Sequence, residues 1–194
     1  MAHRSTRCQS ELLLRVVQQV CQAWPPANWV DSESLVAVSG GPDSVGLLRV
    51  LLQIQQQTGG SGKLQIVHCN HQIGEQSDRH AEFVTDLATQ LNLPCHCINR
   101  SDLARSEAAT ANSEQALREI RYAAMFQVAA QTGARNIVTG HTADDQIETV
   151  LFRLFRGTGL SGLQGIPIVR VQHGCSIIRP LLTTRRNDII ELLS

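Results

Sequence analysis

Apolar and polar positions alternate along this chain in two periods, one typical of strands and the other of helices. Four apolar runs have the length of buried strands and lie at 35–38, 64–69, 94–98 and 136–139. Segments in which apolar residues recur every three or four positions predict helices at 11–21, 47–54, 78–91, 113–132, 144–155 and from 187 onward. Each predicted strand is therefore followed by a predicted helix.

Strands that alternate with helices at this spacing predict an α/β fold, in which helices cover both faces of a Rossmann-like parallel sheet. With 194 residues, 42% of them hydrophobic, the chain is long enough for one sizeable core. We expect residues 1–33 to form a helix and a linker packed on a domain that comprises residues 34–194, because Trp24-Pro25-Pro26 ends the first helix. The polar, alanine-rich segment 101–113 is expected to be a mobile loop over the ligand site.

A glycine-rich segment joins the first predicted strand to the next helix, and it has the composition of a phosphate-binding loop. It consists of Ser39, Gly40, Gly41, Pro42, Asp43 and Ser44. Glycines let a backbone approach a polyphosphate closely, and the free N–H groups and dipole of a helix N-terminus attract anions. The serine hydroxyls add donors, and Asp43 is a candidate ligand of a Mg²⁺ ion that bridges the phosphates.

A second polar cluster follows the strand 136–139 and opens the next helix. It contains His141, Asp144, Asp145 and Glu148. Asp144 and Glu148 are four residues apart, so they share a helix face, and His141 lies in the turn before them. Aspartates in a first helical turn also stabilise the helix without any further role. Two adjacent aspartates and a glutamate exceed what capping needs, which favours a catalytic function.

Two smaller groups of polar residues are further candidates for contacts with the ligand. Arg118 and Arg121 are three apart on the long predicted helix and can reach one phosphate together, although pairing of Arg118 with Glu114 is a plain alternative. His68 and His71 end the second strand, where they are candidates for contacts with adenine or ribose. A histidine that is simply hydrogen-bonded at a strand end explains the same pattern.

Charge is balanced overall but uneven along the chain. The formal net charge is zero, yet no carboxylate lies between Glu148 and Asp188. Six arginines fall in that interval: Arg153, Arg156, Arg170, Arg179, Arg185 and Arg186. They indicate an anionic partner if they are uncompensated, and an ordinary surface if they pair with acids elsewhere in the fold. Sequence alone leaves both interpretations open.

The cysteines and the N-terminus indicate a cytoplasmic protein. None of the six cysteines has the C-x-x-C spacing of a metal site, which favours reduced thiols. Cys95 and Cys97 lie two apart in a predicted strand, so they face the same side of the sheet and are a weaker candidate for a metal pair. No segment has the length of a transmembrane helix or the apolar core of a signal peptide, so we expect no membrane partner.

Taken together, the motifs resemble a known family. The segment SGGPDS at 39–44 resembles the pyrophosphate-binding loop of the N-type ATP pyrophosphatases, whose pattern is SGGxDS. Five further blocks make the chain similar to the catalytic domain of the tRNA(Ile)-lysidine synthetases: HCNH at 68–71, NSEQALREIRY at 112–122, TGHTADDQIET at 139–149, RLFRGTGLSGLQGI at 153–166 and RPLL at 179–182. The resemblance implies an adenine nucleotide alpha hydrolase-like fold.

The resemblance also implies a ligase that forms a carbon–nitrogen bond on the wobble cytidine of a tRNA(Ile) with a CAU anticodon. ATP adenylates the carbon-2 oxygen with release of pyrophosphate, and the amine of free lysine then displaces AMP to form lysidine. The implied cofactors are ATP and Mg²⁺, and the implied partners are this tRNA and lysine. The sequence leaves a homodimer open.

The resemblance assigns roles to the candidate residues. The loop 39–44 holds the leaving pyrophosphate, Mg²⁺ lies on Asp43 or Asp144, and Asp145 or Glu148 receives the lysine ammonium or its proton. His141 belongs to the same catalytic group. Arg118 and Arg121 contact phosphate or the tRNA backbone.

Two departures from the family pattern and two alternatives accompany this interpretation. Gly74 stands where the family often carries an arginine, and the chain stops at Ser194 within a predicted helix, which we interpret as a catalytic domain truncated at its C-terminal end. A tRNA thiolation enzyme of the same superfamily shares the loop but commonly has the C-x-x-C pair that this sequence lacks. A non-catalytic ATP-binding module has little use for so many convergent ionisable groups.

Overall fold

The computed structural model describes residues 2–70, 75–99, 114–157 and 164–194. Its strands are β1 (Ser34–Ala37), β2 (Leu64–Asn70), β3 (Cys95–Asn99), β4 (Asn136–Thr139), β5 (Val169–Gln172) and β6 (Cys175–Ile178). Its helices are α1 (Ala2–Ala23), α2 (Pro42–Thr58), α3 (Glu75–Gln90), α4 (Glu114–Thr132), α5 (Ala143–Phe155) and α6 (Arg186–Leu193), with a short 3-10 helix at Pro26–Asn28. The four predicted strands and the predicted helices are therefore present. The boundary that differs most from the prediction is the start of α1.

The six strands form one sheet in the order β3-β2-β1-β4-β6-β5. All neighbours are parallel except β5, which runs antiparallel to β6 at the edge of the sheet. The chain leaves β1 towards β2 and β3 and then returns to place β4 on the other side of β1. Ligands of such sheets bind where the strand order reverses, outside the carboxyl ends of the strands. The predicted Rossmann-like parallel sheet is confirmed, and its switch point lies between β1 and β4.

Strands β5 and β6 form a hairpin that the sequence analysis did not predict. His173 and Gly174 join them with φ angles of 50° and 75°, which is the pattern of a type I′ turn. Each strand has only four residues, and the side chains of β5 are mostly exposed. Such short segments carry too little periodicity to be distinguished from a loop.

Helices cover both faces of the sheet, and each face has its own apolar cluster. One cluster joins α1, α2, α3 and α6 to the sheet and includes Trp24, Trp29, Leu48, Val84 and Ile189. The other packs α4 on the opposite face through residues such as Ala124, Met125 and Ala129 against Leu35 and Ile137. No residue of α5 is buried. Leu151, Phe152 and Phe155 of α5 are therefore exposed.

Two glycines allow the elements around the switch point to approach closely. A Cβ at Gly46 would overlap the Cγ2 methyl of Ile189, so α2 and α6 pack against each other at this point. A Cβ at Gly140 would lie 3.1 Å from backbone atoms of Asp43 and Ser44. The turn after β4 therefore lies against the start of α2, and α6 lies beside both.

Some predictions cannot be compared with the structure. The expected loop at 101–113 and the candidate His71 lie outside the described residues. Among the helices that are described, none is both long enough and apolar enough to span a bilayer.

Candidate active site

The glycine-rich segment forms a compact turn between β1 and α2. Ser44 Oγ accepts a hydrogen bond from Ser39 N at 3.1 Å and donates one to Gly41 O at 2.9 Å. Gly40 has a φ of 90°, a conformation that favours glycine, and Gly41 caps α2 with Pro42 at its first position. The predicted phosphate loop therefore has the geometry of a turn whose backbone leads directly into a helix N-terminus.

A cavity of about 270 Å³ opens beside this loop at the carboxyl ends of β1 and β4. Seven of the predicted site residues line it: Ser39, Asp43, Ser44, Arg118, Arg121, His141 and Asp145. These residues come from three separate segments of the sequence. The fold thus brings the loop, the helical arginines and the cluster after β4 to a single cavity.

The other predicted residues that the structure describes do not line the cavity. Gly40, Gly41 and Pro42 form the body of the loop, and Asp144 and Glu148 lie on α5, the helix that carries Asp145. His68 is 3% exposed on β2, and its Nδ1 lies 2.7 Å from Val38 O. Burial lowers the pKa of His68, which keeps the ring neutral below the loop.

Arg186 lies between two carboxylates of the cavity. Its Nε donates to Asp43 Oδ2 at 2.9 Å, and its Nη2 donates to Asp145 Oδ1 at 2.8 Å. The backbone N–H of Arg186 donates to Asp144 Oδ2 at 2.8 Å. The first residue of α6 therefore contacts all three aspartates.

The structure shows where three of the six arginines in the carboxylate-free segment lie. Arg186 pairs with Asp43 and Asp145, and Arg185 Nη2 lies 3.4 Å from Asp144 Oδ1. Arg179 is 2% exposed and donates to Pro167 O. These three arginines are compensated or buried within the fold. Arg156 and Arg170 remain exposed, so only a part of the arginine-rich segment is available to an external anion.

The carboxylates of Asp43 and Asp145 have opposite pKa shifts. Burial raises the pKa of Asp43, although its hydrogen bond to Arg186 opposes the shift. Burial also disfavours the charged form of Asp145, but hydrogen bonds from Thr142 and the charge of Arg186 outweigh it and lower the pKa of Asp145. Asp145 is therefore the more strongly acidic of the two.

Asp145 caps α5 and also lines the cavity. Its Oδ2 accepts hydrogen bonds from Thr142 N and Thr142 Oγ1 at 2.6 and 2.9 Å, as in a capping box at the start of α5. Its Oδ1 accepts from Arg186 at the cavity. Capping thus fixes this carboxylate in place and leaves its other oxygen directed to the site.

His141 is held as a neutral base at the cavity wall. Its Nδ1 lies 2.9 Å from Thr139 Oγ1. Burial, followed by the positive charges of Arg179 and Arg118, lowers the pKa of His141 to about 4. An imidazole in this state accepts or donates a hydrogen bond at neutral pH but carries no charge.

Two arginines contact the hydroxyl of Tyr122, and a third, Arg121, also lines the cavity. Arg118 Nη2 and Arg179 Nη2 each donate to Tyr122 Oη at 3.5 Å, and the Arg118 guanidinium lies 5.3 Å from the centre of the Tyr122 ring. The Nε atom of Arg121 is buried and has no hydrogen-bond partner among the residues described. This wall is strongly positive, and Arg121 has an unused donor in it.

The floor of the cavity is apolar and was not predicted from the sequence. Its residues come from the ends of β1 and β2 and from α4: Ala37, Val38, Val67, Cys69 and Met125. The alternation of residues along β2 could have indicated this floor, because it places Val67 and Cys69 on one face at the carboxyl end of the strand. An apolar floor below a polar rim suits the face of a purine base.

The fit of Mg²⁺ to this site rests on Asp43. Its Oδ1 is buried and has no hydrogen-bond partner in the described part of the chain. Within that same part, no group of three or more His, Cys, Asp or Glu side chains is arranged to hold a metal ion. Mg²⁺ is usually held by only one or two carboxylates together with substrate phosphates and water, so a carboxylate beside a phosphate loop fits it.

Comparisons with known proteins yield a matching family and similar relatives. The family model described as a PP-loop domain matches residues 12–194. The chain is similar to the tRNA(Ile)-lysidine synthase of Symbiobacterium thermophilum, with 45% identity over 157 residues, which cover 80% of this chain and 32% of the relative. It is similar to that of Chlorobaculum tepidum with 41% identity over 161 residues, covering 82% of this chain and 46% of the relative. The chain thus spans less than half the length of these relatives.

A solved structure shares the fold at low identity. The U34-tRNA thiolase NcsA from Methanococcus maripaludis, determined with its [4Fe-4S] cluster, superposes with a TM-score of 0.78 at 16% identity, over 95% of this chain and 63% of that chain. At this identity the likeness concerns the fold alone.

Proposed function

Because the chain belongs to the PP-loop domain family, we propose that it binds ATP in the cavity between β1 and β4 and acts as the catalytic part of a tRNA(Ile)-lysidine synthase. The reaction is the two-step ligation of lysine to carbon 2 of the wobble cytidine in a CAU anticodon. The proposal is supported by similarity to relatives of that name over 80% of this chain. The observation that carries it is the convergence of phosphate loop, carboxylates and arginines at one cavity.

In the first step, the loop holds the phosphates of ATP. The backbone between Ser39 and Asp43 and the N-terminus of α2 bind the β- and γ-phosphates, which leave as pyrophosphate. Asp43, with Asp144 beside it, would hold Mg²⁺, which would supply positive charge that offsets the negative charge of the phosphates. The apolar floor at Val67 and Met125 binds the adenine.

In the second step, an acidic side chain of α5 receives the lysine amine. Asp145 has a lowered pKa and is ionised at neutral pH, so it attracts the ammonium group. Glu148 lies one turn further along α5 and is exposed, which suits a group that accepts the proton from the amine. The amine nitrogen attacks carbon 2, the bond to the adenylate oxygen breaks, and AMP leaves.

The tRNA approaches the positive wall of the cavity. Arg118 is exposed at the rim and Arg121 has an unpartnered Nε, so both are suited to phosphate oxygens. Such contacts release counterions, and the affinity for tRNA should fall steeply as salt concentration rises. Salt-insensitive tRNA binding would contradict this part of the proposal.

The test is incorporation of labelled lysine into unmodified tRNA(Ile) with a CAU anticodon, in the presence of ATP and Mg²⁺. We expect label on the RNA, with pyrophosphate released in the same reaction. Asp43→Asn should reduce pyrophosphate release, whereas Asp145→Asn should reduce lysine incorporation more than pyrophosphate release. Asp31→Asn is the matched control. Asp31 is an exposed aspartate that precedes β1 and accepts a hydrogen bond from Ser61 N.

Failure of this test has a defined meaning for each alternative. ATP binding without tRNA-dependent release of pyrophosphate favours a non-catalytic ATP-binding module. Incorporation of sulfur instead of lysine favours a thiolation enzyme. Because the chain spans 32% of the Symbiobacterium thermophilum relative, a chain extended to the relatives' length should be assayed in parallel.

A further inference from the structure

Two cysteines of β3 lie side by side outside the proposed active site. Cys95 and Cys97 project to the same face of the edge strand, and their Sγ atoms are 3.8 Å apart. Cys97 is exposed and Cys95 is half-buried. The pair is therefore open to solvent on one side and supported by the protein on the other.

The position of Cys97 is fixed by a neighbour on α3. Thr85 Oγ1 lies 3.7 Å from Cys97 Sγ, and it donates its own hydrogen to Ala81 O at 2.8 Å. Because the Thr85 hydroxyl hydrogen is already used, the Cys97 thiol is the group that can donate in the contact with Thr85, and either thiol can donate in the contact between Cys95 and Cys97. This chain of contacts holds both sulfur atoms in a defined arrangement.

The separation of the two sulfur atoms distinguishes between the possible uses of the pair. Two thiolates bound tetrahedrally to one zinc ion, each at about 2.3 Å, lie about 3.8 Å apart. A disulfide requires an S–S distance of about 2.05 Å and Cα atoms no more than about 6.8 Å apart. Residues two apart in a strand are separated by about 6.6 Å, close to that limit. A bridging metal ion thus needs no displacement of the two sulfur atoms from their 3.8 Å separation, whereas a disulfide requires them to approach by about 1.8 Å.

We propose that Cys95 and Cys97 form a two-thiolate binding site for one thiophilic divalent cation, such as Zn²⁺ or Cd²⁺. In the described residues no third His, Cys, Asp or Glu completes a metal cluster, so water or small solutes occupy the other coordination positions. The site lies on β3 at the edge of the sheet, separate from the cavity between β1 and β4.

Binding at this site releases protons. Each thiol loses its proton to give a thiolate, so that one divalent cation and two thiols yield a neutral complex and two protons. Burial and the neighbouring Cys97 raise the pKa of Cys95 to about 12, so this thiol is protonated at neutral pH. The apparent affinity should consequently increase with pH.

Titration of the reduced full chain with Cd²⁺ tests the site through the ultraviolet charge-transfer band of cadmium thiolates. We expect one ion per chain and release of protons as the band grows. Cys95→Ser and Cys97→Ser should each remove most of the band. Cys21→Ser is the matched control, because Cys21 is a half-buried cysteine of α1 and should leave the band unchanged.

Other results would overturn the proposal. A band that persists in Cys97→Ser, or that disappears in Cys21→Ser, assigns the metal to other cysteines. One ion per two chains means a site shared between copies. Because a serine variant can misfold, circular dichroism of each variant should accompany the titration, and Thr85→Val provides a second test. This variant keeps both thiols, so it should retain the band at a changed affinity, and complete loss of the band with native circular dichroism would contradict the two-thiolate site.

Discussion

Arg186 Nε lies 2.9 Å from Asp43 Oδ2, although the two residues are 143 positions apart in the sequence. Asp43 begins α2 directly after the phosphate loop, and Arg186 begins α6 near the end of the chain. The hydrogen bond to Asp43 raises the pKa of Arg186 further above its usual range, where a guanidinium is always charged at physiological pH. The last helix thus contributes a fixed positive charge to the carboxylates beside the loop.

We predict that Arg186→Ala lowers the free energy of unfolding by about 1–2 kcal/mol. Removing one partner of a fully buried ion pair costs about 3–5 kcal/mol, and the Arg186 side chain is 38% exposed, which reduces that cost. Arg185→Ala is the control, because Arg185 is 62% exposed and lies 3.4 Å from Asp144; it should cost under about 0.5 kcal/mol. Urea denaturation measures both, and equal costs would contradict a special role for Arg186.

We predict that Gly46→Ala destabilises the protein by about 1–3 kcal/mol, because its new methyl group meets the Cγ2 methyl of Ile189. The same substitution in an Ile189→Ala background should cost much less, since the obstructing methyl is absent. A double-mutant cycle in urea measures the coupling. Additive costs would show that α2 and α6 do not depend on this contact.

We predict that Gly140→Ala perturbs the phosphate loop from outside it. The added Cβ lies 3.1 Å from the carbonyl carbon and oxygen of Asp43, which are backbone atoms and cannot rotate away. The expected result is a loss of about 1–3 kcal/mol in unfolding free energy and weaker ATP binding. Gly41→Ala is the stability comparison, because its Cβ would lie 3.6 Å from Ser39 Oγ, an ordinary contact, and it should cost only the roughly 0.5–1 kcal/mol of an alanine at a helix N-cap. A similar cost for both variants would contradict the crowding at Gly140.

The sequence predicted the local elements of the site but not the partners that α6 supplies. Asp43, Asp145 and His141 are identifiable because each follows a predicted strand, and the carboxyl ends of neighbouring parallel strands meet. Arg186 has no such signal. It lies in a run of arginines that indicates an external anion, and only the packing of α6 on α2 brings it to Asp43.

The β5–β6 hairpin and the start of α1 also could not be predicted from the local pattern of apolar residues. Strand β5 is short and exposed, and it is antiparallel in a sheet that is otherwise parallel, so neither its period nor its neighbours predicted it. Helix α1 begins at Ala2 although its first nine residues are mostly polar and carry no apolar stripe. Apolar periodicity identified the part of α1 that packs on the core, since Leu12, Val16 and Val20 are buried there.

His141 provides a pH-dependent prediction whose sign follows from its low pKa. The pKa is about 4 in the folded protein and 6.5 in the unfolded chain. Between these values the unfolded chain binds more protons, so the stability that the neutral ring contributes is complete above pH 6.5 and is lost as pH falls towards 4. A shift of this size corresponds to about 3 kcal/mol once the pH is below both values.

We therefore expect the wild-type protein to lose more stability between pH 7 and pH 4 than His141→Asn, whose amide does not titrate. The carboxylates titrate in both proteins, so the difference between the two urea series isolates His141. Arg179→Met should raise the pKa of His141, because it removes a buried charge that contributes to the shift after burial itself. Arg179→Lys keeps the charge, and Arg170→Met removes an exposed charge on β5, so neither should change that pKa as much. NMR titration of the His141 ring measures it directly, and a ring that titrates near pH 6.5 in the wild-type protein would contradict the burial that lowers its pKa.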